Sequence, residues 1–209
     1  MEDLSSIAAV LFDMDGTLVD SDAAVERAWA LWANEHGVDP ARVLPIAHGR
    51  PADQTVRQLL PDLADEEVAV SAARQLALQY DDLSDVVITP GAGQLLAVLA
   101  DLAVPWAVVT SADVRLAQAR LGAVGIYAQI LVTVEDVTAG KPDPEGYLLA
   151  ARLIGVDASR CLVVEDAEPG VAAGQAASAR VAALKGVQGD IQIHDLAELA
   201  VMFAGKHGS

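Results

Sequence analysis

Residues 7–12 form an unbroken apolar run that stops on Asp13. A run of strand length with no polar alternation suits a strand buried on both faces, as in a parallel sheet covered by helices on each side. Comparable runs recur at 106–109, 130–132, 161–164 and 181–184. Helical patterns lie between them: Leu95, Leu99 and Leu102 follow i, i+4, i+7 spacing, and Tyr147, Ala150, Ala151 and Ile154 follow i, i+3, i+4, i+7. Strand and helix therefore alternate from Pro90 onward. The expected fold is α/β, with a doubly wound, mainly parallel, Rossmann-like sheet.

Residues 20–87 break that rhythm. Val25, Ala28, Trp29, Trp32 and His36 share one helical face, 51–60 can form a short helix, and 65–80 reads as a longer one. No strand pattern interrupts them. An all-helical insertion, 20–87, into a core made of 1–19 and 88–209 accounts for this better than two independent domains, because the first strand would otherwise lack partners. Trp29 and Trp32 are expected in the core of that insertion.

A formal charge of −17, with thirteen basic residues, argues against nucleic acid and anionic membrane as partners, since both are bound through clustered Lys and Arg. Cys161 is the single cysteine, so no internal disulfide forms, and its apolar neighbours predict a small buried hydrophobe. The acidic start and the aspartates at 13 and 15 support neither a signal peptide nor a membrane span, and neither is expected. A cytoplasmic monomer is expected.

In open α/β sheets, function gathers at the carboxyl ends of the strands. Those ends carry Asp13-Met14-Asp15-Gly16-Thr17, then Thr110-Ser111, then Glu165-Asp166, with Lys141 in Gly140-Lys141-Pro142-Asp143-Pro144. Singly, each has an ordinary explanation: Asp15-Gly16 as a turn, Lys141 as a solvated loop residue, Glu165-Asp166 as a helix-start cap. Together they are the parts of a phosphoryl-transfer site. A carboxylate attacks phosphorus only where like-charge repulsion is cancelled, so an aspartate nucleophile needs a divalent cation and a positive side chain beside it. Gly16 permits a tight turn after the strand, and Thr17 is expected to stiffen it.

These motifs, in this order and along the whole chain, resemble the haloacid-dehalogenase-like superfamily, whose helical cap domain corresponds to 20–87. The resemblance implies that Asp13 is the nucleophile and that Asp15 is the general acid, then the base that activates water. It implies Mg2+ held by the Asp13 carboxylate, the Asp15 main-chain carbonyl and Asp166, with Glu165 either a further ligand or a group behind the ligands. Thr110, Lys141 and the Ser111 amide would hold the phosphoryl group, with amides after Asp13, including the Gly16 segment, assisting.

Within the superfamily, dehalogenases lack the second aspartate, so Asp15 disfavours them. Sugar phosphomutases typically carry a hydrophobic residue at the position of Thr17 and a histidine at that of Val25. The segments 25–29 and 46–51 resemble bacterial sugar phosphatases active on hexitol and sugar phosphates. Arg50 is then a candidate hand for the substrate, with His48 and Gly49 beside it. The expected function is a magnesium-dependent phosphatase of small sugar or polyol phosphates. Alternatives are a sugar phosphomutase, a non-catalytic binding protein on the same fold, and a phospho-accepting signalling receiver, which leaves the helical insertion unexplained.

Overall fold

The structure, a computed structural model, describes residues 4–47, 51–80 and 82–205; the expected substrate contacts His48, Gly49 and Arg50 lie outside the described residues. Two compact units are present, one made of Met1–Asp20 and Val87–Ser209, the other of Ser21–Val86. In chain order, β1 (Ala9–Phe12) and β2 (Val19–Asp20) precede four helices, α1 (Asp22–Glu35), α2 (Pro40–Ala47), α3 (Ala52–Leu59) and α4 (Asp65–Tyr80). Then come β3 (Val87–Ile88), α5 (Ala92–Asp101), β4 (Trp106–Val109), α6 (Val114–Ala123), β5 (Leu131–Val132) and α7 (Glu145–Ile154). The chain continues through β6 (Cys161–Glu165), α8 (Glu168–Ala176), β7 (Arg180–Ala183), β8 (Ile191–Gln192) and α9 (Leu196–Gly205).

The first unit holds a six-stranded sheet in the order β5-β4-β1-β6-β7-β8, and every neighbouring pair is parallel. The order shows the winding. From β1 the chain moves outward through β4 and β5, then returns to β6 on the other side of β1 and moves outward again. Loops leaving β1 and its neighbours therefore diverge at the carboxyl end of β1, where such sheets bind ligands. Alternating residues explain the continuous apolar runs. Ala9, Leu11, Ala107, Val109, Val163 and Val181 pack with Tyr147, Ala150 and Ala151 of α7 and Val171 and Ala173 of α8. Val10, Phe12, Val108, Leu162 and Val164 point the opposite way and are equally buried. Cys161 is buried within the first of these layers, as its apolar run predicts.

Three strands have no counterpart in the sequence analysis. The antiparallel ladder of β2 and β3 sets Asp20 opposite Val87, so the chain leaves and re-enters the first unit at one point. β8 closes the far edge beside β7.

The regular elements of the second unit, among its described residues, are all helices. Trp29 and Trp32 meet edge to face in its core, with Ala28, Val43, Val56, Val68 and Leu78 around them. Trp32 Nε1 donates to Ser71 Oγ at 2.9 Å, and the same hydroxyl meets His36 Nε2 at 3.0 Å, which satisfies the polar edge of the buried indole. The unanticipated helix α2 starts with Pro40, whose fixed φ suits a first turn, behind an Asp39 carboxylate that accepts from the Ala41 amide at 3.0 Å. Pro45 lies inside it, yet Val43 and Ala47, four residues apart, both reach the core. Among the described residues no helix is long and apolar enough to cross a membrane.

Candidate active site

The last rung of the β1–β6 ladder is Asp13, whose amide donates to the Val164 carbonyl at 2.9 Å. The chain then turns sharply: Leu18 and Val19 amides donate back to Met14, and the Gly16 amide donates to Val19 at 2.7 Å. Gly16 takes φ +81°, a left-handed conformation that glycine adopts without steric cost. That turn carries Asp15 away from the strand direction. Thr17 does not stiffen it through its hydroxyl, which is buried and lacks a hydrogen-bond partner among the described residues; its carbonyl instead accepts from Thr89 Oγ1 at 2.5 Å.

Lys141 arrives from the loop before α7. Its Nζ donates to Asp13 Oδ1 at 2.5 Å, to Glu165 Oε1 at 2.7 Å and to the Val109 carbonyl at 3.0 Å. The loop is fastened by Glu145, whose carboxylate accepts from the Thr138 and Ala139 amides. Thr110 follows β4 directly: its amide donates to the Val132 carbonyl, and its buried hydroxyl accepts from the Ala112 amide at 3.1 Å. Ser111 is the next residue and is exposed. Asp13, Lys141 and Glu165 are thus brought together, while Thr110 and Ser111 lie at the end of the adjoining strand β4.

Glu165 ends β6 and is fully enclosed. Oε1 accepts from Lys141 and from Tyr147 OH at 2.7 Å, and Oε2 accepts from the Asp166 and Ala167 amides. A side chain at Gly170 on α8 would stand 1.7 Å from Oε1, so the helix approaches the carboxylate closely through that glycine. Asp13, Glu165 and Asp166 offer carboxylate oxygens within 4.8 Å of one another. Lys185 Nζ stands 3.0 Å from Asp166 Oδ2.

Burial pushes the Asp13 carboxyl well above the usual carboxylate range; Lys141 pulls against this, and Glu165 and Asp166 add to it. Burial likewise raises Asp166, opposed by Lys185. Burial works against the charge of Lys141, but the carboxylates of Asp13 and Glu165 outweigh it and hold the ammonium protonated beyond the ordinary lysine range. Three carboxylates here face two ammonium groups, Lys141 and Lys185. Negative groups outnumber positive ones, and a bound dication is the kind of charge that reverses the upward shifts of Asp13 and Asp166. The donor set fits one: hard carboxylate oxygens, two of them on neighbouring strand ends.

Three residues join the site without having been singled out for it. Arg120 of α6 donates from Nη1 to Asp15 Oδ1 at 2.7 Å. Tyr147, assigned only to a helix face, closes the shell around Glu165, and Lys185 neutralises Asp166. The signal for Arg120 was present: it lies on the buried face of α6 with Leu116, Ala117 and Leu121, where a charge requires a partner.

A family model described as haloacid dehalogenase-like hydrolase matches residues 7–178. Hexitol phosphatase A of Escherichia coli is 39% identical over 91% of this chain and 92% of its own length. Validoxylamine A 7'-phosphate phosphatase of Streptomyces hygroscopicus is 36% identical over 80% of each chain. Among solved structures, a HAD hydrolase of family IA, variant 3, from Entamoeba histolytica superposes with a TM-score of 0.82 over 95% of this chain and all of its own, at 24% identity, a likeness of fold.

Proposed function

This chain belongs to the haloacid dehalogenase-like hydrolase family and is a phosphoric monoester hydrolase, and from that premise we propose that it hydrolyses sugar or polyol phosphates through a phospho-aspartate on Asp13. The observation that carries the proposal is the contact of Lys141 with both Asp13 and Glu165. It pairs a buried nucleophile with a cation tethered from behind, as attack on an anionic ester demands. The relatives named for hexitol and validoxylamine 7'-phosphate support the substrate class.

Asp13 attacks phosphorus while the bond from phosphorus to the ester oxygen breaks. Asp15 gives its proton to that departing oxygen. Asp15, now a carboxylate, takes a proton from water as the water oxygen attacks phosphorus, and the bond to Asp13 breaks to release phosphate. Lys141 neutralises the phosphoryl oxygens, and the Thr110 hydroxyl and the Ser111 amide donate to them; the Gly16 amide, expected to assist, is instead taken up by the Val19 carbonyl, so Gly16 serves by shaping the turn. A divalent cation, magnesium, would be held by the Asp13 and Asp166 carboxylates with the Asp15 main-chain carbonyl, and supplies positive charge to the phosphoryl group. Glu165 acts from behind: both its oxygens are occupied by donors, so its part is to hold Lys141 rather than to ligate.

Substrate choice belongs to the helical insertion acting as a cap, with Arg50, His48 and Gly49 as contacts. A cytoplasmic monomer acting on soluble phosphorylated metabolites completes the reading. The test is phosphate release from hexitol, hexose, pentose and triose phosphates, each with magnesium and with excess chelator. Release from sugar or polyol phosphates that chelator abolishes is the expected result. Undiminished release without metal rejects the cation, and isomerised product from a primed sugar phosphate would mark a mutase instead. Arg50→Ala should reduce kcat/KM for sugar phosphates more than for a small aryl phosphate, and equal losses reject its specificity role.

A further inference from the structure

Lys185 follows β7 in a turn whose backbone is left-handed at two successive residues, Lys185 at φ 51° and Gly186 at φ 79°. A non-glycine residue in that region is uncommon and persists where its surroundings hold it. Here the Leu184 amide donates to the Glu165 carbonyl at 2.7 Å, which fastens the turn to the strand end carrying the acidic pair. The outcome aims the Lys185 ammonium at Asp166, with Nζ 3.0 Å from Oδ2. Gly16 leaves the space in which they meet: a Cβ there would stand 2.0 Å from Asp166 Oδ2 and 2.8 Å from Lys185 Nζ. Loops after β1, β6 and β7 thus converge on one ion pair.

The two partners differ in exposure. The Asp166 side chain is 13% exposed and that of Lys185 is 49% exposed, so the ammonium end of the pair is the one that faces solvent. A recess of about 450 Å3 opens beside it, lined by Asp20, His194 and Asp195 as well as by Lys185 itself. Its two carboxylates offer an alternative environment for a displaced ammonium.

We propose that Lys185 is an internal counter-cation that competes with the divalent cation for Asp166, and that metal binding drives the ammonium off the carboxylate toward this recess. The inference rests on the divalent-cation reading given above. An ammonium 3.0 Å from a ligand oxygen repels an incoming dication and occupies the lone pairs it needs. Lys185 therefore stabilises the metal-free protein and weakens metal affinity. Its role is positioning and charge balance, with no contact to the reacting atoms.

The experiment is calorimetric titration of the metal-free full chain with MgCl2, alongside thermal melts, for wild type, Lys185→Gln and Lys185→Arg. Lys185→Gln should bind Mg2+ about tenfold more tightly than wild type, and Lys185→Arg, which keeps the charge, should stay within about threefold. Metal-free Lys185→Gln should melt below metal-free wild type, and saturating Mg2+ should narrow the gap. A variant that folds only with Mg2+ present is the same result in its limit. Raised salt should shrink the affinity difference, because Lys185 is half exposed. Equal or weaker Mg2+ binding by Lys185→Gln, with wild type binding normally, overturns the role of Lys185 alone. Wild type that binds no Mg2+ by titration or melting overturns the cation reading and this inference with it.

Discussion

Arg120 Nη1 stands 2.7 Å from Asp15 Oδ1, although the two residues are 105 positions apart in sequence. The arginine side chain is 4% exposed and the aspartate 32%. The guanidinium is therefore the more enclosed end of the pair and the carboxylate the more accessible one. On the proposed mechanism, in which Asp15 gives up a proton in one step and accepts one in the next, this contact orients its carboxyl group.

Arg120→Met should accordingly impair turnover more than binding. A misplacement of about 1 Å costs on the order of 10²-fold in rate, so kcat for sugar phosphates should fall by about 10- to 100-fold with KM little changed. Arg120→Lys, which restores charge without the planar fork, should recover part of the loss. Steady-state kinetics on a sugar phosphate and an aryl phosphate supply the check. Equal losses on both substrates, tracking a lower melting temperature, would mean that Arg120 serves packing alone.

Tyr147 contributes one of the four donors around Glu165, and its ring is wholly buried. Tyr147→Phe keeps the ring and removes the hydroxyl, leaving Lys141 and the two amides in place. Loss of one hydrogen bond to a charged group should lower stability by about 1.5–3 kcal/mol. Lys141 keeps its other tethers, so kcat should fall by less than about tenfold, while Glu165→Ala, which removes the tether and leaves the ammonium beside Asp13 uncompensated from behind, should be far worse. Denaturant unfolding of both variants beside their kcat values separates these outcomes; a Tyr147→Phe protein as damaged as Glu165→Ala would show that Glu165 depends on the phenol more than its four donors suggest.

Much of this architecture is readable from the chain because its central strands are buried on both faces. The run ending at Asp13 and the one ending at Glu165 carry no alternation to confuse with a helix, and their ends present the acids at once. Short strands lack that advantage. Val19–Asp20, Val87–Ile88 and Ile191–Gln192 are two residues each, too few to show any period, and their pairing is set by where the longer strands bring them. Helix α2 was hidden by Pro45, which ordinarily ends a helix and here sits within one. Arg120, Tyr147 and Lys185 escaped for a different reason. Each belongs locally to a helix face or a turn, and becomes part of the site only through a partner that the sheet topology delivers.

Asp13 and Asp15 differ by two positions and should fail in different ways. Asp13 is buried against Lys141, and Asp15, just ahead of Gly16 in the turn, is paired with Arg120, so exchanging one carboxylate for an amide leaves the other's ion pair intact. On the proposed mechanism Asp13→Asn removes the nucleophile, and no phosphoenzyme should form from any ester. On the same mechanism Asp15→Asn removes the proton donor, which should matter for an alkoxide leaving group and little for p-nitrophenolate, a good leaving group without help. The first step should therefore survive with p-nitrophenyl phosphate. Hydrolysis of the phospho-aspartate still needs a base to activate water, and the amide provides none. Rapid mixing of Asp15→Asn with that ester should give a burst approaching one product per active site, then turnover slowed by about 10²–10⁴-fold, while Asp13→Asn gives no burst. A folded, metal-binding Asp15→Asn protein that turns over sugar phosphates steadily at the wild-type rate would remove Asp15 from the acid–base role.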